Sequence, residues 1–117
     1  MTPEMIQFGQ LDALQIRSMD GASAIITLYG AQVVSWKTAD GKEQLFCSRL
    51  SALDGSRAIR GGIPIIYPQF AEQGTGQRHG FARLTKWAVE ECGILDDGSA
   101  FGEFVLAPQD LKPELAL

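Results

Sequence analysis

The sequence predicts an all-β protein, an antiparallel β-sandwich or an incomplete part of one. Three observations carry this. Helical periodicity is nearly absent, the apolar runs are short, and Gly, Asp and Ser interrupt them at close intervals. Seven or so short strands are enough for a small sandwich, and any edge left unpaired would be sticky.

The elements follow in order. Leu14 and Ile16 alternate with polar neighbours, as on a half-buried strand. Ala24 to Tyr29 is apolar and β-branched. Gly30 then interrupts, and Gln32 to Lys37 resumes with Val33, Val34 and Trp36. A glycine inside such a run predicts a bulge or a tight bend. Asp40-Gly41 is a hairpin signal ahead of a strand over Gln44 to Cys47. A loop from Ser48 to Ala58 follows. Ile59 to Phe70 reads Ile-Arg-Gly-Gly-Ile-Pro-Ile-Ile-Tyr-Pro-Gln-Phe, and a Gly- and Gln-rich loop covers Ala71 to Arg78. Strands are expected over Trp87 to Glu91 and Phe101 to Leu106, with a turn at Asp97-Gly98. The tail from Pro108 to Leu117 is expected to be loosely ordered. No repeat or linker divides the chain, so residues 1–117 are read as a single domain or part of one.

Bulk chemistry narrows the function. With 45% hydrophobic and 21% charged residues, the chain can bury a core. A net charge of −4 gives it no electrostatic reason to seek nucleic acid or an anionic membrane. Cys47 and Cys92 stand far apart, without metal-ligand spacing, and are read as small half-buried apolar residues. With no apolar stretch of spanning length and no leader-like start, a soluble cytoplasmic protein is expected.

Three stretches hold polar groups in patterns that suit a ligand. In Arg60-Gly61-Gly62 the guanidinium offers planar donors for phosphate or carboxylate, and two glycines let backbone approach closely. The bland reading is a glycine bulge with a surface arginine. The spacing is not that of a nucleotide-phosphate loop. Pro64 and Pro68 bracket an irregular connection at a sheet edge, with Gln69 and Phe70 after it. An amide beside an aromatic ring suits a sugar, although a turn-forming Gln beside a buried Phe is the plainer account. His79 is the only histidine. It follows a loop and precedes Gly80, and its ordinary pKa lets it exchange a proton near neutrality, although a single histidine is more often structural. Arg83 lies four residues on, about 13 Å away on the same face of an extended segment and closer if the chain bends. Its bland reading is a solvated ion pair with Glu90 or Glu91. Glu90-Glu91 and Asp96-Asp97 do not form an acid–base pair.

Taken together, Ile59-Arg60-Gly61-Gly62-Ile63-Pro64, Pro68-Gln69-Phe70, His79-Gly80-Phe81-Ala82-Arg83 and Trp87 resemble the signature of the hexose-6-phosphate mutarotases, or glucose-6-phosphate 1-epimerases, of the aldose 1-epimerase superfamily. Tyr29 to Trp36 and Leu45 to Ser48 extend the likeness upstream, and it covers the amino-terminal portion of such proteins. The resemblance implies a galactose-mutarotase-like β-sandwich with a carbohydrate cleft. It implies that Arg60 and Arg83 bind the sugar phosphate, that Gln69 and His79 contact the sugar, and that Phe70 and Phe81 shape the walls. It also implies cofactor-free acid–base ring opening that interconverts α and β anomers. The family's catalytic histidine and glutamate are expected beyond residue 117, so no catalytic residue is assigned here and His79 is read as a substrate-binding group. Ala71 stands where the family has glycine, and Leu84 where it has a polar residue. The alternatives are a non-catalytic phosphosugar-binding module or an inactive truncated remnant. A sugar or sugar phosphate is the expected partner, with homo-oligomers through open sheet edges.

Overall fold

The computed structural model describes residues 3–48, 51–67, 71 and 81–106. Among them are six strands and one short 3₁₀ turn: β1 Glu4–Phe8, β2 Leu11–Arg17, β3 Ser23–Thr27, β4 Gln32–Lys37, the 3₁₀ turn Ala82–Leu84, β5 Ala88–Ile94 and β6 Ala100–Val105. The first four form an antiparallel meander in chain order, and β5 and β6 form a separate antiparallel ribbon. The architecture is all-β and is a partial two-layer sandwich, as the sequence predicts.

β2 shows why two layers are needed. Leu11 and Ala13 are buried, and so is Leu14, which points to the opposite face. On the first face Leu11 joins Val34 and Ile59, with Phe8, Ile25, Tyr29, Cys47 and Leu53 packed around them. On the second face Leu14 meets the ribbon. A Cβ placed on Gly102 of β6 would sit 3.0 Å from Leu14 Cδ2, so the bare glycine lets the layers touch. The Met19 amide also donates to the Gly98 carbonyl at 2.9 Å, joining the β2–β3 turn to the β5–β6 turn.

β1 is the element that the sequence reading passes over. It is an edge strand with little buried surface, so its alternation of Ile6 and Phe8 against Met5 and Gln7 is weak. The expected strand over Gln44 to Cys47 is replaced by isolated bridges, Lys37 to Glu43 and Cys47 to Gly61. The cause is local. The Glu43 carboxylate accepts the amides of Trp36, Gln44 and Leu45 at 2.9, 3.1 and 3.1 Å, along with the Ser35 hydroxyl. The Gln44 amide also donates to the Trp36 carbonyl at 2.7 Å, so the segment is tied to β4 by this carboxylate and one cross-strand bond rather than by a ladder. Cys92 is exposed on β5 rather than half-buried, whereas Cys47 is half-buried as expected. A register shift between Val89 and Glu91 breaks the alternation, and Glu90 and Glu91 are both exposed.

Candidate functional site

The connection from β3 to β4 organises the candidate site. The buried Thr27 hydroxyl donates to the Tyr29 carbonyl at 2.8 Å. Gly30 and Ala31 both take positive φ, 79° and 46°, so the bend expected at Gly30 is there. Two later segments, each carrying one of the predicted arginines, dock here, one on the start of β4 and one on the bend itself.

Ile59 to Ile63 comes first. Ile63 pairs with Val33, its amide donating to the Val33 carbonyl at 2.9 Å and its carbonyl accepting the Val33 amide at 3.3 Å. Gly61 and Gly62 have φ of 140° and 66°. A Cβ on Gly61 would lie 2.3 Å from the Phe46 carbonyl oxygen, and one on Gly62 would lie 2.1 Å from that of Val33. The glycine pair therefore admits neighbouring protein backbone on both sides, and the Gly62 amide is already committed to the Phe46 carbonyl at 2.8 Å. Arg60, which precedes the two glycines, is exposed, while its backbone is pinned. Its amide donates to Ser51 Oγ at 3.1 Å, and its carbonyl accepts the Ser48 amide at 2.8 Å and the Ser51 hydroxyl at 3.2 Å.

The second segment is the 3₁₀ turn. Phe81 and Ala82 donate their amides to the Tyr67 carbonyl at 2.9 and 3.1 Å. The Tyr67 and Phe81 rings meet edge-on with centroids 6.1 Å apart. Phe81 is thus a buried core residue rather than a cleft wall. Thr85 Oγ1 and Trp87 Nε1 close the turn by donating to the carbonyls of Phe81 and Ala82 at 2.9 and 3.0 Å. Arg83 belongs to this turn, so its own backbone is not extended. Its backbone rests on the bend: the Gly30 amide donates to Thr85 at 2.8 Å, and a Cβ on Gly30 would lie 2.8 Å from the Arg83 carbonyl oxygen.

Among the described residues the ion pairs are Lys42 with Asp40 and Lys86 with Asp12, and neither Arg60 nor Arg83 takes part. Arg83 does not pair with Glu90 or Glu91. Its Nε is buried without an acceptor among the described residues. Its charge reaches Tyr29, whose phenol is held above its ordinary pKa by burial, with Arg83 opposing and Asp54 reinforcing the shift. Among the described residues no group of acidic, histidine or cysteine side chains could hold a metal ion. None of their helices is long and apolar enough to cross a membrane.

The structure thus docks the Arg60 segment on the start of β4 and the Arg83 turn on the bend just before it. Gln69, Phe70 and His79 lie outside the described residues. Gln32 is the residue that sequence reasoning missed. It opens β4, is 1% exposed, and donates Nε2 to the carbonyls of Ile59, at 3.3 Å, and Gly61. Its only signal in the sequence is a polar residue at the head of an apolar strand.

Comparison with known proteins fits this geometry. The aldose 1-epimerase family profile matches residues 12–112. A protein of Cenchrus ciliaris that carries the provisional name glucose-6-phosphate 1-epimerase is 39% identical over 108 residues, covering 87% of this chain and 33% of the relative. A protein of the same provisional name in Escherichia coli strain K12 is 37% identical over 96 residues, covering 78% and 32%. Among solved structures, the provisionally named mutarotase YeaD of Salmonella typhimurium superposes with a TM-score of 0.70 at 31% identity, covering 81% of this chain and 32% of that one. The crystal structure of HI1317 gives a TM-score of 0.68 at 26% identity, covering 84% and 40%. The chain therefore spans about a third of the length of the named relatives it matches. With the profile matching most of its residues and the fold shared with a mutarotase, the chain belongs to the aldose 1-epimerase family.

Proposed function

We propose that this chain supplies the phosphosugar-binding part of a hexose-6-phosphate 1-epimerase, with Arg60 and Arg83 taking the phosphate. The observation that supports the reading is that the backbone segments carrying Arg60 and Arg83 dock at the start of β4 and on the bend just before it, with neither arginine in the ion pairs of the described residues. Guanidinium suits phosphate because its N–H groups form a planar fork matched to two phosphate oxygens. In an acidic chain, such local donors must do what the overall field cannot. Gln69, His79 and Phe70 are proposed to contact the sugar, by the family resemblance alone. The acid and base of anomer exchange are assigned to no residue of this chain, and the greater length of the relatives leaves room for them elsewhere in the family's fold.

Calorimetric titration with glucose 6-phosphate, glucose and inorganic phosphate tests the reading. Glucose 6-phosphate should bind more tightly than glucose. Arg60→Ala and Arg83→Ala should each weaken it about tenfold or more, the range for hydrogen bonds to a charged group, and leave glucose unchanged. Equal affinity for the two sugars, or an Arg60→Ala/Arg83→Ala protein that binds like the parent, would sink the proposal. Magnetisation-transfer NMR then asks whether the bound sugar changes anomer any faster.

A further inference from the structure

We propose that Gln32 is a positioning residue for Arg60, and this rests on the reading that Arg60 binds a phosphorylated sugar. The geometry starts from an unusual local problem. Gly61 and Gly62, with φ of 140° and 66°, give the chain after Arg60 little intrinsic preference for one conformation. A guanidinium on such a backbone would swing with it. The Gln32 amide removes that freedom. Nε2 donates both to the carbonyl before Arg60, that of Ile59, and to the one after it, that of Gly61. Only the nitrogen of the amide can face two carbonyls, so the orientation of the group is fixed by chemistry.

On the other side, Ser51 Oγ and the Ser48 amide hold the Arg60 N–H and C=O. The residue is thus pinned on both sides of its backbone while its side chain stays in solvent. A packing role would be better served by an apolar side chain, because Gln32 Oε1 is buried without a donor among the described residues. Fixing the arginine in advance removes part of the ordering that a phosphate ligand would otherwise have to impose.

Gln32→Met keeps the length and removes the donor. In the folded variant, the Ser48 and Gly62 amides, which bond beside the clamp, should exchange with solvent at least about tenfold faster than in the parent. Affinity for glucose 6-phosphate should fall about tenfold and that for glucose should not change. The effect on glucose 6-phosphate should vanish in an Arg60→Ala background, since coupling is expected only if Gln32 acts through Arg60. If Gln32→Met does not fold, Ser51→Ala, which removes the half-buried hydroxyl on the opposite side, carries the same two measurements. Unchanged exchange, or a loss of affinity that simply adds to that of Arg60→Ala, would overturn the proposal. An Arg60→Ala protein with parental affinity would instead overturn the functional reading beneath it, while the exchange data would still report on the clamp.

Discussion

Gly62→Ala is the most direct test of how the Arg60 segment is held. The new Cβ would stand 2.1 Å from the Val33 carbonyl oxygen and 3.1 Å from the Val34 Cα, both backbone atoms of β4. No rotamer change relieves such a clash, so the two backbones must separate. Two hydrogen bonds lie in the way, Gly62 amide to Phe46 at 2.8 Å and Ile63 amide to Val33 at 2.9 Å. Losing both costs about 1–3 kcal/mol. A positive φ of 66° adds about 1–2 kcal/mol for any residue with a Cβ. The sum is roughly 2–5 kcal/mol, a large part of the ~5–15 kcal/mol that holds an ordinary domain together. Gly41→Ala is the control. Its φ is 84°, but nothing lies within 4 Å of its Cβ, so it carries the backbone strain alone, about 1–2 kcal/mol. Urea unfolding followed by tryptophan fluorescence measures both. Equal losses for the two variants would refute the close-approach argument, because the difference between them is the part assigned to contact with β4.

Further outcomes follow from other parts of the molecule. Leu14, 2% exposed beneath the ribbon, should cost about 2–5 kcal/mol when cut to alanine, read from the urea midpoint. Lys86→Ala removes an exposed 3.2 Å pair with Asp12 and should cost less than about 1 kcal/mol, with a Tm near that of the parent. Glu43 is raised by its slight burial but lowered more by the Ser35 hydroxyl and three backbone amides, so its carboxyl lies below the ordinary value of 4.5. A depressed carboxylate stabilises the fold above its unfolded pKa and loses that contribution as pH falls through the folded one. The stability advantage of the parent over Glu43→Gln should therefore hold at neutral pH and shrink below about pH 4.5. A gap independent of pH would place the effect of Glu43 in shape rather than charge.

How much of this the sequence discloses depends on what fixes each element. β2, β3, β4 and β6 are legible because their apolar residues alternate or cluster and glycines or aspartates end them. The bend at Gly30 and the turn at Asp97-Gly98 are legible because each needs a residue that tolerates positive φ, and both glycines show it. β1 is hidden because an edge strand buries little. The failed strand over Gln44 to Cys47 is hidden for another reason. The Glu43 carboxylate ties that stretch to β4 by side-chain contacts that no hydrophobic pattern records. Arg60 and Arg83 stand out as residue types, but not the docking of their segments on β4 and on the Gly30 bend, because pairing between residues far apart in the chain creates it.

The Arg-Gly-Gly stretch shows where a motif reading and a structural reading part. From spacing alone, glycines beside an arginine suggest backbone left bare for a ligand. Here the space above each glycine is filled by the chain itself, at Phe46 and Val33. The glycines serve the arginine indirectly: they let the segment press against β4 and the stretch before Ser48, and that contact brings the carbonyls of Ile59 and Gly61 onto Gln32. On the proposed reading, phosphate binding by Arg60 and packing by its neighbours are one property. A substitution such as Gly61→Ala, with its Cβ 2.3 Å from the Phe46 carbonyl oxygen, should damage phosphate binding only by moving Arg60. Any such loss should be matched by faster exchange of the Ser48 amide that bonds Arg60 from the other side.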